Sequence, residues 1–286
     1  MPTRRPFHLE PPGGRALDGF LDVPDRPDLP PYPTVVICHG FKGFMEWGFF
    51  PHLAELLAAR GFLAVRFNFS GAGVRPGEDR VSDLDAFRDD TYGRELEDLL
   101  AVVDGLDEIA GELADRDRLG LFGHSRGGGI ALLAAALPER RESVRALVTW
   151  AAIAEVDRFD EATKETWRRE GVVHVENSRT GQQLPLGRGL LDEVESDREA
   201  LDLLTAAGRR TAPWRILHGR EDASVPYEEA ERLAEAAAPP VALHAVDTGD
   251  HTFCSRHPFA GPSRELIEAM NETQTWFRRH LAPPEG

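Results

Sequence analysis

The stretch RLGLFGHSRGGGIALLAAAL, Arg118 to Leu137, decides the architecture. Arg118–Phe122 is a short run with the length of a buried strand, and Ser125–Leu137 is an alanine-rich helical stretch that stops before Pro138. Gly123-His124-Ser125-Arg126-Gly127 lies between them and fits the pattern G-x-S-x-G. A serine in a strained strand-to-helix turn projects its hydroxyl above the sheet. Gly123 and Gly127 allow neighbouring backbone to come close, and the following helix N-terminus adds positive dipole where an oxyanion would develop.

Working outward, strands and helices alternate. Thr34–Cys38 (TVVIC), Phe62–Phe67, Ala146–Trp150, Trp214–His218 and Ala242–Val246 read as strands. Phe49–Arg60 (stopping at Gly61), Asp89–Leu106, Tyr227–Ala237 and Ser263–His280 read as helices. That alternation predicts a mostly parallel sheet with helices on both faces. Phe7–Glu10 and Ala16–Asp22 read as edge strands of an antiparallel start, and Pro24, Pro27, Pro30, Pro31 and Pro33 are expected to keep the next stretch irregular. Residues 152–210 are strongly charged and mostly helical in pattern, with a Gly/Gln/Pro interruption at 181–189, and read as a cap inserted over the sheet. The expectation is one domain over residues 1–286.

A serine needs a base, and the base needs an orienting acid. Both belong in loops after late strands, in the order serine, acid, histidine. Gly219-Arg220-Glu221-Asp222 follows the strand WRILH and offers Asp222 or Glu221. Asp247-Thr248-Gly249-Asp250-His251 follows ALHAV and offers His251 as base. His124 lies in the serine turn itself, His218 ends a strand where a core or supporting role fits better, and His244 lies within a strand. After TVVIC, His39-Gly40-Phe41-Lys42-Gly43-Phe44 supplies the loop for a second oxyanion donor, which assigns the two donors to the backbone N–H groups of Phe41 and Arg126. His39 reads as a residue that bonds the loop backbone. Phe44, Trp47 and Phe49, with Phe41, are candidates for lining a substrate pocket.

Composition narrows the partners. The net charge of −16 argues against nucleic acid and anionic membranes. Lysine occurs only at Lys42 and Lys164, an arginine bias like that of a GC-rich bacterial genome. Cys38 and Cys254 make neither a disulfide framework nor a metal cluster. No apolar run approaches the roughly 20 residues that span a bilayer, and Met1–Pro12 has no apolar core of a secretory signal, so a cytoplasmic location is expected. The oligomeric state stays open, a homodimer included.

The blocks HGFKGFMEWGFFPHLAELLAARGFLAVRFNFSGAG (39–73), GLFGHSRGGGIAL (120–132), HGREDASVPYEEA (218–230) and GDHTFCSRHPF (249–259) resemble bacterial α/β hydrolases of the dienelactone-hydrolase-like and prolyl-oligopeptidase-like branch. The resemblance implies the α/β-hydrolase fold with an eight-stranded sheet. It favours Asp222 over Glu221 through the pattern H-G-x-x-D-x-x-V-P, giving Ser125, Asp222 and His251 as a triad. It also implies no metal or organic cofactor and a small-molecule carboxylic ester as substrate. Dienelactone hydrolases proper carry a cysteine where Ser125 stands, and dehalogenases and epoxide hydrolases of the fold an aspartate, so those chemistries are not expected. The peptidases of the branch usually carry a large N-terminal propeller for which 286 residues leave no room, so peptidase activity is not expected either. An acyltransferase or thioesterase would use the same triad; a non-catalytic binding protein on the same fold would usually lack one of its members.

Overall fold

The computed structural model describes residues 1–26 and 30–281. β1 (Thr3–Leu9) and β2 (Leu17–Val23) form the antiparallel start, and β2 pairs antiparallel with β4 (Leu63–Phe67). β4, β3 (Tyr32–Cys38), β5 (Ala114–His124), β6 (Val144–Trp150), β9 (Trp214–Gly219) and β10 (Val241–Val246) continue as parallel neighbours, completing eight strands in the order β1-β2-β4-β3-β5-β6-β9-β10.

The parallel strands are buried on both sides, and their alternation sorts the core into two layers. Val36, Cys38, Leu119 and Leu121 point to the layer filled by α3 (Tyr92–Asp104), α5 (Arg126–Ala136), α8 (Leu203–Arg209) and α9 (Tyr227–Ala236). Val35, Ile37 and Phe122 point to the layer filled by α1 (Phe50–Ala59) and α10 (Arg264–Leu281). Every residue of α5 is buried, which explains its composition: a helix enclosed on all sides presents no polar face. Gly120 leaves room for the α10 ring of Phe277, which a Cβ there would meet at 2.8 Å.

Four expectations need correction. Pro33 lies inside β3, where the register with β5 shifts between Pro33 and Thr34; an irregular ladder accommodates a residue that cannot donate. Pro27 lies outside the described residues. The helix expected from Asp89 begins at Tyr92, capped by the Thr91 hydroxyl, which accepts from Arg94 N–H at 3.2 Å. It ends at Gly105, after which α4 (Leu106–Ala110) starts a separate turn. Finally, the insertion between β6 and β9 is not helical throughout. Besides α6 (Glu161–Glu170), α7 (Arg188–Ser196) and α8, it contains an antiparallel hairpin of β7 (Val172–Asn177) and β8 (Gln182–Gly187). The Gly/Gln/Pro interruption is this hairpin's turn and second strand, with Leu184 and Leu186 facing inward. The short helix α2 (Leu84–Arg88) packs against β8.

The chain leaves β3 toward one edge of the sheet and returns to β5 to build toward the other. The loops after β3 and β5 therefore separate at the reversal of strand order, where open α/β sheets form a crevice.

Candidate active site

Ser125 stands between β5 and α5 with φ 56° and ψ −122°, a backbone conformation that side-chain-bearing residues rarely adopt. The surroundings hold it there. Its N–H donates to the Trp150 carbonyl at 2.8 Å, and its own carbonyl accepts from Gly128 N–H at 3.0 Å. Two glycines make the turn sterically feasible. A Cβ on Gly123 would lie 2.2 Å from the Gly127 carbonyl oxygen, and one on Gly127 would lie 2.2 Å from that of His39. The loop after β3 also presses on the serine, since a Cβ on Gly40 would come within 2.9 Å of Ser125 Cβ.

The late loops meet by the same device. A Cβ on Gly219 would lie 2.0 Å from the Gly249 carbonyl oxygen, so glycine is required where the loop after β9 crosses the loop after β10. There His251 Nδ1 and Asp222 Oδ2 are 2.8 Å apart. The other Asp222 oxygen accepts from the N–H groups of Ser224 (2.8 Å) and Val225 (2.9 Å). Burial alone would raise the Asp222 pKa; the hydrogen bonds from His218 and His251 outweigh it and hold the carboxyl well below the usual carboxylate range. Glu221 is exposed, and among the described residues its side chain makes no hydrogen bond.

Several residues support this pair, and sequence reasoning gave one of them, His124, no such role. His124 Nε2 lies 2.9 Å from the His251 carbonyl, so it donates there and fixes the backbone of the histidine loop. Burial, reinforced by His251, lowers its pKa to about 3 and keeps it neutral. Asp250, though exposed, accepts from Thr252 N–H (2.9 Å) and Cys254 N–H (2.7 Å), closing the turn after His251. His218 Nε2 contacts both the Val225 carbonyl (2.8 Å) and Asp222 Oδ2 (3.2 Å), matching the supporting role expected of it. His39 accepts from Phe69 N–H at 3.2 Å through Nε2, so Nδ1 carries the proton toward the Gly40 carbonyl at 3.0 Å. Burial lowers its pKa to about 4, as suits a neutral structural imidazole.

The largest omission is the Arg126 side chain, which nothing in the local pattern marks. It is buried beneath the serine turn. Its Nε donates to Glu95 Oε2 at 2.8 Å and its Nη2 to Asp90 Oδ2 at 3.1 Å. The guanidinium lies 4.1 Å from the Tyr92 ring centroid and 5.5 Å from that of Phe41. One side chain thus links α3, α5 and the loop after β3. Burial drives the Glu95 and Asp90 carboxyls upward, against the pull of Arg126.

Two cavities open beside Ser125 and His251. One, of about 430 Å³, is lined by Trp47, Phe50, His257, Arg179 and Arg256, among others. The second, of about 340 Å³, is walled mainly by Tyr92, Ile153, Phe159, Val175, Leu190 and Val225. Phe41 borders both. Phe44 and Phe49 border neither. Phe49 is enclosed by Phe50, Trp150 and the His124 ring, and Phe44 packs edge-on to His257. Of the four aromatic residues expected in a pocket, Phe41 and Trp47 reach one, and Phe50 takes the place of Phe49. Cys254 is exposed, with Sγ directed at the Thr248 carbonyl, and borders neither cavity.

The sheet order, the serine at the strained β5–α5 turn and the histidine–aspartate pair beyond β9 and β10 define an α/β hydrolase. Residues 47–283 match the prolyl oligopeptidase family, and the chain belongs to it. It is 31% identical over 281 residues to an uncharacterized 31.7 kDa protein of the traX-finO intergenic region of Escherichia coli, covering 87% of this chain and 92% of that one. It is 28% identical over 257 residues to the uncharacterized peptidase YuxL of Bacillus subtilis, where the match covers 87% of this chain but only 35% of the relative. The solved structure of a putative hydrolase from Agrobacterium vitis shares the fold with a TM-score of 0.73 at 23% identity, covering 97% of this chain and 99% of that one.

Proposed function

We propose that this protein is a serine hydrolase that cleaves carboxylic esters through an acyl-enzyme. Ser125 Oγ attacks the carbonyl carbon while His251 Nε2 takes its proton. Asp222, bonded to Nδ1, holds the imidazole in the required tautomer and stabilises the imidazolium. The N–H groups of Phe41 and Arg126 receive the oxyanion, each contributing about 3–4 kcal/mol to the transition state. The proton on His251 then passes to the departing alcohol. Water attacks the acyl-enzyme, with His251 again as base. The segment 152–210 acts as the cap of this site.

The observation that carries the reading is the 2.8 Å His251–Asp222 pair, whose histidine borders the same two cavities as Ser125. A cavity on either side suits a substrate with two halves joined at the scissile bond. The test is hydrolysis of p-nitrophenyl esters from acetate to decanoate by the wild type and by Ser125→Ala. We expect turnover to fall by roughly a million-fold in the variant. Activity that survives the substitution rules out Ser125 as nucleophile. Product partitioning between water and added alcohols, and a parallel thioester series, separates ester hydrolysis from acyl transfer and thioester cleavage.

A further inference from the structure

The geometry points to a substrate anion in the larger cavity: an ester one of whose halves carries a carboxylate, with the other half apolar and seated in the second cavity. This rests on the ester-hydrolase reading and narrows its substrate class.

The chain has 49 acidic residues against 33 lysines and arginines. Yet among the described residues no carboxylate borders the larger cavity, while Lys42, Arg179 and Arg256 do. These cations come from three separate places: the loop after β3, the β7–β8 turn and the loop beyond His251. Their partnerships are weak. Among the described residues Arg256 has neither an ion pair nor a side-chain hydrogen bond. Lys42 Nζ is bonded to a carbonyl, that of Glu176, at 3.1 Å. Arg179 donates to the Asp79 carbonyl, and its Nη1 stands 3.8 Å from that residue's carboxylate. Glu46, the other carboxylate acting on His257, accepts from Gly77 N–H at 3.3 Å. The Ser255 hydroxyl is a further donor: Ser255 is 5% exposed, borders the cavity, and its Oγ has no partner.

The second cavity differs. Apart from Lys42, which both share, its cations are matched by acids. Arg158 Nη1 lies 2.8 Å from Glu229, and Arg126 is held by Glu95 and Asp90. Its remaining wall is mostly apolar. The two sides of Ser125 thus offer opposite environments to the two halves of one substrate: an excess of donors and positive charge on one, an apolar and electrically balanced wall on the other. An anion entering the first side gains charge-assisted hydrogen bonds that a neutral isostere cannot make.

The charge sits on either the acyl or the alcohol half, and paired substrates distinguish them. p-Nitrophenyl hydrogen adipate against p-nitrophenyl hexanoate places it on the acyl half. The hexanoate ester of 4-hydroxybenzoate against that of 4-hydroxybenzamide places it on the alcohol half. We expect one charged member to exceed its neutral partner by about tenfold in kcat/KM. That ratio should shrink at high salt and fall to near unity in the Arg179→Gln, Arg256→Gln double variant. A ratio near one for both pairs overturns the proposal, as does a preference that persists in the variant. A calorimetric titration of the monomethyl adipate anion into Ser125→Ala protein tests the site without turnover. Binding that weakens at least tenfold with both arginines replaced supports the anion site even if no ester is cleaved. The hexanoate ester of 4-hydroxybenzoate, titrated in the same way, covers charge on the alcohol half; no binding of either anion, or binding indifferent to the arginines, removes the site.

Discussion

Asp98 shows how far a single buried carboxyl can depart from its sequence context. Burial raises its pKa to about 6, opposed by the bond from Ser70 N–H at 2.7 Å. The folded protein therefore holds this proton more tightly than the unfolded chain does. The stability this proton confers is fully present below the unfolded value and is lost as pH rises through about 6. Asp98→Asn should therefore stabilise the protein at pH 8 by something of order 2 kcal/mol and give little gain at pH 3.5, as read by urea unfolding at the two pH values. Arg126 predicts the opposite sign. Arg126→Met strands Glu95 and Asp90 in the core, at a cost of about 3–5 kcal/mol in the same assay. It also releases the tie to Phe41, so kcat should fall more than KM rises. The candidate roles of Ser125 and His251 were legible because each follows a recognisable strand in a recognisable loop; the loop after β9 left Asp222 and Glu221 open, and only the family pattern favoured Asp222. The Arg126 network was not, since Asp90 and Glu95 lie in an acidic stretch that reads equally well as a solvated helix face. Phe44 and Phe49 misled for a related reason: a run of aromatic residues beside a loop does not say which ring turns inward.

At the scale of elements, the backbone of the serine turn was legible because its glycines act through contacts that any strand–turn–helix of this shape must make. Gly127→Ala tests that. The added methyl would sit 2.2 Å from the His39 carbonyl oxygen, which is backbone and cannot swing aside. The turn must open, and about 1–3 kcal/mol of stability should be lost. Shifting Ser125 by even an ångström should cost on the order of a hundredfold in kcat, measured on a short-chain ester. The hairpin of β7 and β8 was hidden by its surroundings. Its alternating runs, VVHVEN and QQLPLG, are six residues each and sit between strongly charged helices, so the helical pattern dominates any longer window. The break between α3 and α4 was obscured for a simpler reason: Gly105 is the single residue between them, and a lone glycine does not by itself end a helical pattern.

For the whole molecule, alternation along the chain was enough to predict a parallel sheet covered on both faces, with an antiparallel start. It does not give strand order, yet strand order makes the crevice: the reversal between β3 and β5 brings residues near 40 and 125 together, and β9 and β10 bring in residues near 222 and 251. The convergence of Lys42, Arg179 and Arg256 on one cavity is of the same kind, invisible in a sequence where they lie far apart. The central claim about the assembled site is that one residue, Ser125, becomes covalently acylated. The most direct measurement is peptide mapping by tandem mass spectrometry after reaction with a fluorophosphonate, on the wild type and on Asp222→Ala. The account predicts a single adduct on Ser125, formed stoichiometrically in the wild type and far more slowly when Asp222 is gone. An adduct on any other residue, or Ser125 left unlabelled in folded wild-type protein, would contradict it.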